Sequence, residues 1–236
     1  MRDRGAGERK GRIVMDRFLD RADAGRQLAD ALHEYAGRTD VVVLALPRGG
    51  VPVAFPVARA LDAPLDVLVV RKLGVPYDPE LAMGAIATGG AIYLQRSVIG
   101  SMDVSDAQLA DVIARETVEL QRREALYRGA WPPVPVEGRT VIVVDDGIAT
   151  GASMRVALQA LRERRPARVV AAAPVAPAGV QRKFDDLADA FVVVSRPLSF
   201  FGISQFYAHF EQTSDDEVRV LLDAARRAPE GGVASD

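Results

Sequence analysis

The sequence predicts an α/β fold built on a mostly parallel sheet. Two observations carry this. Five short aliphatic, β-branched runs recur along the 236 residues, and helix-like segments separate them. Strands alternating with helices are expected to form right-handed crossovers, and runs that are continuously rather than alternately apolar mark strands covered on both faces.

The elements follow in order. Residues 1–12 read as a charged, mobile lead. From Asp16 to Ala36, Phe18, Ala22, Gly25, Leu28, Leu32 and Tyr35 fall at helical spacing and make one apolar stripe on a charged helix. The five strand runs are 39–46, 65–70, 140–146, 168–175 and 190–195, with helices predicted at 51–61, 149–165 and 178–188. An insert, 73–135, breaks the alternation: a Gly-rich segment reads as a lid or a hairpin with a mobile tip, and a long amphipathic helix, 105–128, is capped by Ser105 or Asp106 and stopped by Trp131 and Pro132. Ser214-Asp-Asp-Glu217 is a capping box opening the last helix. One domain is expected over 13–227, with 228–236 a disordered tail.

Lys and Arg number 30 against 32 Asp and Glu, so no basic excess draws the chain onto nucleic acid. No apolar run is long enough to span a bilayer, and the expected location is the cytoplasm. The absence of cysteine excludes thiol catalysis and thiolate metal sites. A homo-oligomer is compatible with the sequence.

The chemistry lies at strand ends. In VIVVDDGIATGAS, 141–153, a buried strand ends in Asp145 and Asp146 and turns through Gly147 into a helix. The amides of Ala149, Thr150, Gly151, Ala152 and Ser153 open that helix, suited to a phosphate, and the acids upstream can accept hydrogen bonds from vicinal hydroxyls or hold a divalent cation through water. A phosphate close to a diol describes a ribose 5-phosphate. In LPRGGVPVA, 46–54, Gly49 and Gly50 leave bare amides beside Arg48, a nest suited to a diphosphate. Arg71 and Lys72 add cations at a third strand end. Neither the Walker loop nor the dinucleotide fingerprint is present.

VIVVDDGIATGAS resembles the signature of the type I phosphoribosyltransferases. Together with DRADAGRQLA, LPRGGVPVA, VVRKLGVPYDPELAMGAIATGG and QFYAHFEQTSDDEV, the chain is similar to a bacterial group of that family whose acceptor is unassigned. The resemblance implies a three-layer fold with one antiparallel edge strand from the insert and a small hood over 196–227. It implies that Asp145 and Asp146 contact the ribose hydroxyls of 5-phosphoribosyl 1-diphosphate and that 149–153 cradle its 5-phosphate. Arg48, Gly49 and Gly50 match the pyrophosphate loop, whose often cis peptide falls near Pro47-Arg48, and Lys72 matches the cation that reaches the diphosphate. Mg²⁺ is expected to bind mainly through the substrate, and 73–90 to be the flexible loop. Some purine-specific members carry an acid at the position of Ala149, which excludes a general base from there. Rings at 200–210 are expected mostly to seal the hood, with Phe201 and Tyr207 the candidates for touching the acceptor; Glu116, Arg122, Arg123 and Glu124 read as a solvated helix face, and His33 and His209 receive no role. The expected activity is phosphoribosyl transfer to a base or small amine; the alternative on the same fold is a non-catalytic sensor.

Overall fold

In the computed structural model, described here for residues 17–227, the chain runs α1 (Arg21–Ala31), β1 (Val41–Ala45), α2 (Gly50–Leu61), β2 (Leu65–Val67), β3 (Val70–Val75), β4 (Asp78–Ala87), β5 (Ala91–Leu94), α3 (Arg96–Ser101), α4 (Asp106–Arg128), β6 (Thr140–Val144), α5 (Ala152–Arg162), β7 (Arg168–Val175), β8 (Ala190–Ser195) and α6 (Asp215–Arg226). The expectations placed on 1–12 and 228–236 lie outside the described residues.

Five strands pair in parallel in the order β2-β1-β6-β7-β8. Their side chains alternate between faces. Val41, Val43, Ile142, Val144, Val170 and Ala172 pack with α1 and α2, whereas Val42, Leu44, Val141, Val143, Val169 and Ala171 pack with Met154, Leu158 and Leu161 of α5. These are the three predicted layers. The insert contributes more than one antiparallel edge strand: β3, β4 and β5 form an antiparallel sheet of their own. The run 65–70 divides because Leu68 and Val69 carry the chain out of the parallel sheet and into β3.

The capping predictions hold in detail. The Ser105 hydroxyl accepts from the Gln108 amide and the Gln108 side chain answers at the cap; the Ser214 hydroxyl accepts from the Glu217 amide. The first helix starts later than expected, at Arg21, because the Asp20 carboxylate caps the Asp23 amide at 2.7 Å. The helix predicted at 178–188 is a short 3₁₀ turn, Val180–Lys183, entered through Gly179 at φ +82°. Phe184 then docks in the core beside Phe191, and the Asp189 carboxylate caps the amide of Val169.

Candidate active site at the switch point of the sheet

Strand order reverses at β1 and β6: β2 lies on one side of this pair and β7 and β8 on the other. Ligands of open α/β sheets lie beyond the carboxyl ends of strands at such a point. Both loops singled out from the sequence leave the sheet here, tied by the Leu46 amide donating to Val144 O at 2.9 Å. The Pro47–Arg48 peptide is cis. A Cβ on Gly49 would stand 2.1 Å from Asp146 Oδ2, and one on Gly50 would stand 2.7 Å from Val144 O. The two glycines therefore let the first loop lie directly on the acidic one.

Asp145 and Asp146 are half-buried at the lip. The Asp146 amide donates to Asp145 Oδ1 at 2.9 Å. Burial, and then the charge of Asp146, push the Asp145 carboxyl up from its ordinary value. Burial also raises Asp146, opposed by the Arg21 guanidinium, whose Nε and Nη2 both approach Asp146 Oδ2 at 2.9 Å. The hood grips the same residue from above. Tyr207 donates its hydroxyl to Asp146 O at 2.6 Å, and its ring packs on Phe18 and Phe210. Residues 18–19 pair with 206–209 through backbone hydrogen bonds.

Beyond the acids, Ala149, Thr150, Ala152 and Ser153 are exposed; Gly151 at the N-cap has no side chain to cap α5, and of its first amides that of Ala152 donates to Thr150 Oγ1 at 3.3 Å. They face solvent at the positive end of the helix dipole, where an anion binds best. Gly151, at φ +81°, lets the turn press on Phe184, whose Cζ would lie 2.8 Å from a Cβ. Lys183 donates Nζ to Thr150 O at 2.7 Å. A cavity of about 140 Å³ is lined by 145–154 and by Ile203 from the hood. A second, of about 430 Å³, shares Ala152 and Ser153 with it and reaches Pro47, Lys72, Glu80 and Arg123.

Lys72, Asp145, Asp146, Gly147 and 149–153 thus line two adjoining cavities; Gly49 and Gly50 press on the acidic loop, and Arg48, which lines neither cavity, holds Nη1 3.9 Å from Asp215. Arg71 does not join them. It pairs with Glu116 of α4 at 2.6 Å, so Glu116, only 13% exposed, belongs to an ion pair and not to a solvated face. Tyr207 is 3% exposed and braces the Asp146 loop, which leaves its ring no free face for an acceptor. Phe201 is 91% exposed. The expected lid, 73–90, is a hairpin whose base is fixed: Leu73, Val75, Met83 and Ile86 lie in the core, and the turn around Pro76 and Tyr77, the start of β4, and Gly89 and Gly90 stand in solvent. Sequence reasoning missed Arg21, Ile203 and Lys183. No spacing rule links any of them to the acids: Arg21 and Ile203 come in from near the two ends of the chain, and Lys183 from the turn between β7 and β8. It also misread Arg123, taken for surface, which lines the larger cavity.

Comparison with known proteins agrees with this architecture. A family model described as the phosphoribosyl transferase domain matches residues 15–82 and 108–211; the unmatched interval holds the end of β4, β5 and α3. A Mycobacterium tuberculosis H37Rv protein, Rv0571c, provisionally named a phosphoribosyl transferase, is 48% identical over 213 residues, which is 90% of this chain and 48% of that protein. The chain spans about half the length of this curated relative. The crystal structure of TT1426 from Thermus thermophilus is 40% identical and superimposes with a TM-score of 0.77 over 87% of this chain and 97% of that one. With its switch-point loops and the family model covering most of its length, the chain belongs to the phosphoribosyl transferase domain family.

Proposed function

We propose that the chain binds 5-phosphoribosyl 1-diphosphate across the lip of the sheet and transfers its phosphoribosyl group to a base or small amine. One observation carries this reading: the glycine loop 48–50 and the exposed, glycine-capped start of α5 flank one acidic pair, at the ends of adjacent strands. Paired strands lie about 4.8 Å apart, so one sugar diphosphate can reach both loops.

In the transfer, the bond from C1 of the ribose to the diphosphate oxygen breaks and its electron pair leaves with the diphosphate. A C1–N bond forms to the acceptor, and the acceptor's proton passes to solvent. The amides of 149–153 hold the 5-phosphate, and free side-chain oxygens of Asp145 and Asp146 accept from the ribose hydroxyls. Arg48, the amides of Gly49 and Gly50, and Lys72 stabilise charge developing on the leaving group. Removing one preorganised donor of this kind costs about 3 kcal/mol in the barrier. Two carboxylates at an open lip fit Mg²⁺ carried largely on substrate oxygens, since hard cations keep several waters and bind phosphates rather than closed protein cages; among the described residues no cluster of three or more His, Cys, Asp or Glu side chains could hold a metal. When bound, the ion neutralises charge on the diphosphate.

The test is diphosphate release from 5-phosphoribosyl 1-diphosphate and Mg²⁺ with a panel of nucleobases and amines. Acceptor-dependent release that disappears in Asp145→Asn/Asp146→Asn supports transfer. Binding without turnover on any acceptor supports a sensor, and no binding overturns the reading.

A further inference from the structure

We propose that Arg21 is a positioning residue for the site, fixing the Asp146 carboxylate so that one oxygen faces the sugar while the other is locked to the hood. The proposal rests on the phosphoribosyl diphosphate reading of the site and adds a residue to it.

The geometry around Arg21 is unusually closed for an arginine at the first turn of a helix. Its side chain is 12% exposed and that of Asp146 is 13% exposed. Nε and Nη2 both converge on Asp146 Oδ2. Nη1 donates to Glu211 O at 2.6 Å, and the guanidinium carbon stands 3.9 Å from the centre of the Phe210 ring. Every face of the group is therefore used: one edge on the acid, one on the hood backbone, one plane on an aromatic ring. A lysine would supply the charge but not this division of donors, because only a planar guanidinium presents several N–H directions at fixed angles.

Asp146 Oδ2 is enclosed on its other side as well. The position a Cβ of Gly49 would take lies 2.1 Å from Oδ2 but 3.3 Å from Oδ1. Wedged between Gly49 and Arg21, Oδ2 is spent within the protein, and Oδ1 is left for a ligand. The clamp also ties the hood to the chemistry. Arg21 joins Asp146 to Phe210 and Glu211, so correct seating of the hood and correct aim of the carboxylate become one event.

The experiment compares wild type, Arg21→Lys, Arg21→Gln and Arg21→Ala by calorimetric titration with 5-phosphoribosyl 1-diphosphate and Mg²⁺, and by diphosphate release with an acceptor that the wild type uses. Arg21→Gln and Arg21→Ala are expected to lose at least about tenfold in affinity or in kcat, with Arg21→Lys between them and wild type. Millimolar guanidinium is expected to restore part of the loss in Arg21→Ala and none in Asp146→Asn, a response that mere loosening of the fold does not give. Wild-type binding together with Arg21→Gln indistinguishable from it, or losses in Arg21→Ala that guanidinium leaves untouched while its melting temperature falls, overturns the positioning role alone. A wild type that fails to bind the sugar diphosphate overturns the function reading and this role with it.

Discussion

At Asp145 the folded chain keeps a proton that the unfolded chain releases, because burial and the neighbouring charge of Asp146 raise its carboxyl. The native state therefore binds more protons than the unfolded one above the ordinary carboxyl value of 3.8, and this group's contribution to stability falls as pH rises from there until the native carboxyl has ionised too. Every tenfold change in proton affinity between the two states is worth about 1.4 kcal/mol, or about 3–6 °C of melting temperature at this chain length. Asp145→Asn keeps an oxygen to accept from the Asp146 amide while removing the charge. The ligand-free variant is expected to melt several degrees higher than wild type near pH 7.5, to lose that advantage near pH 3.5, and to bind the sugar diphosphate poorly; thermal denaturation at the two pH values checks the sign. Gly49→Ala is expected to act in the opposite direction. Its Cβ would displace Asp146 Oδ2 from Arg21, so substrate affinity should fall at least about tenfold and stability by about 1–2 kcal/mol, as urea denaturation and titration would show. The acids and the glycines were readable from the sequence because they adjoin a buried strand. Arg21 was not, since its partner lies 125 positions away.

The elements that sequence reasoning placed well are those whose signal is local. Continuous apolar runs located β6, β7 and β8 almost to the residue, and Ser105 and Ser214 marked the starts of α4 and α6. An element set by tertiary packing was misplaced, since the segment after β7 yields its helix to the docking of Phe184, whereas the Gly-rich insert takes the hairpin of the two readings offered for it, as β3–β4. The strand period could have separated two residues that were grouped. Adjacent positions on β3 point to opposite faces, which sends Arg71 to Glu116 and Lys72 to the larger cavity. Lys72→Ala is accordingly expected to weaken binding of the sugar diphosphate at least about tenfold at unchanged stability. Arg71→Ala should change that affinity by less than about twofold while lowering stability by about 1 kcal/mol. Equal loss of affinity in both would contradict the register. Amide exchange checks the hairpin itself: protection is expected at Met83–Ala87, with Asp78–Leu81 exchanging much faster, since only the former are buried.

Across the whole molecule the site depends on a buried charge network far from it in sequence. Asp66, in the parallel sheet's edge strand β2, is 1% exposed. It accepts from Arg128 Nε at 2.8 and 3.0 Å and from the amides of Val67 and Val134. Arg128 Nη2 continues to Val67 O and Thr88 Oγ1, and Nη1 to Glu124. One guanidinium thus fastens α4 to β2, to the turn between β4 and β5 and, through Asp66, to the connector that leads into β6. It holds the antiparallel sheet bearing Lys72 against the parallel sheet bearing the two loops. A buried pair of this kind contributes little net stability relative to apolar residues, yet removing the guanidinium leaves Asp66 with Arg226 Nη2, at 3.8 Å, as its remaining ion-pair partner, at a cost of about 3 kcal/mol. Arg128→Leu is expected to show that loss in denaturant unfolding. Asp66→Asn/Arg128→Leu should recover part of it, because the carboxamide carries no charge, although its single oxygen can accept from only one of the Val67 and Val134 amides, which bond different carboxylate oxygens. A double variant no more stable than Arg128→Leu would show that the guanidinium stabilises through its contacts to Val67, Thr88 and Glu124, and that Arg226 suffices for the Asp66 charge.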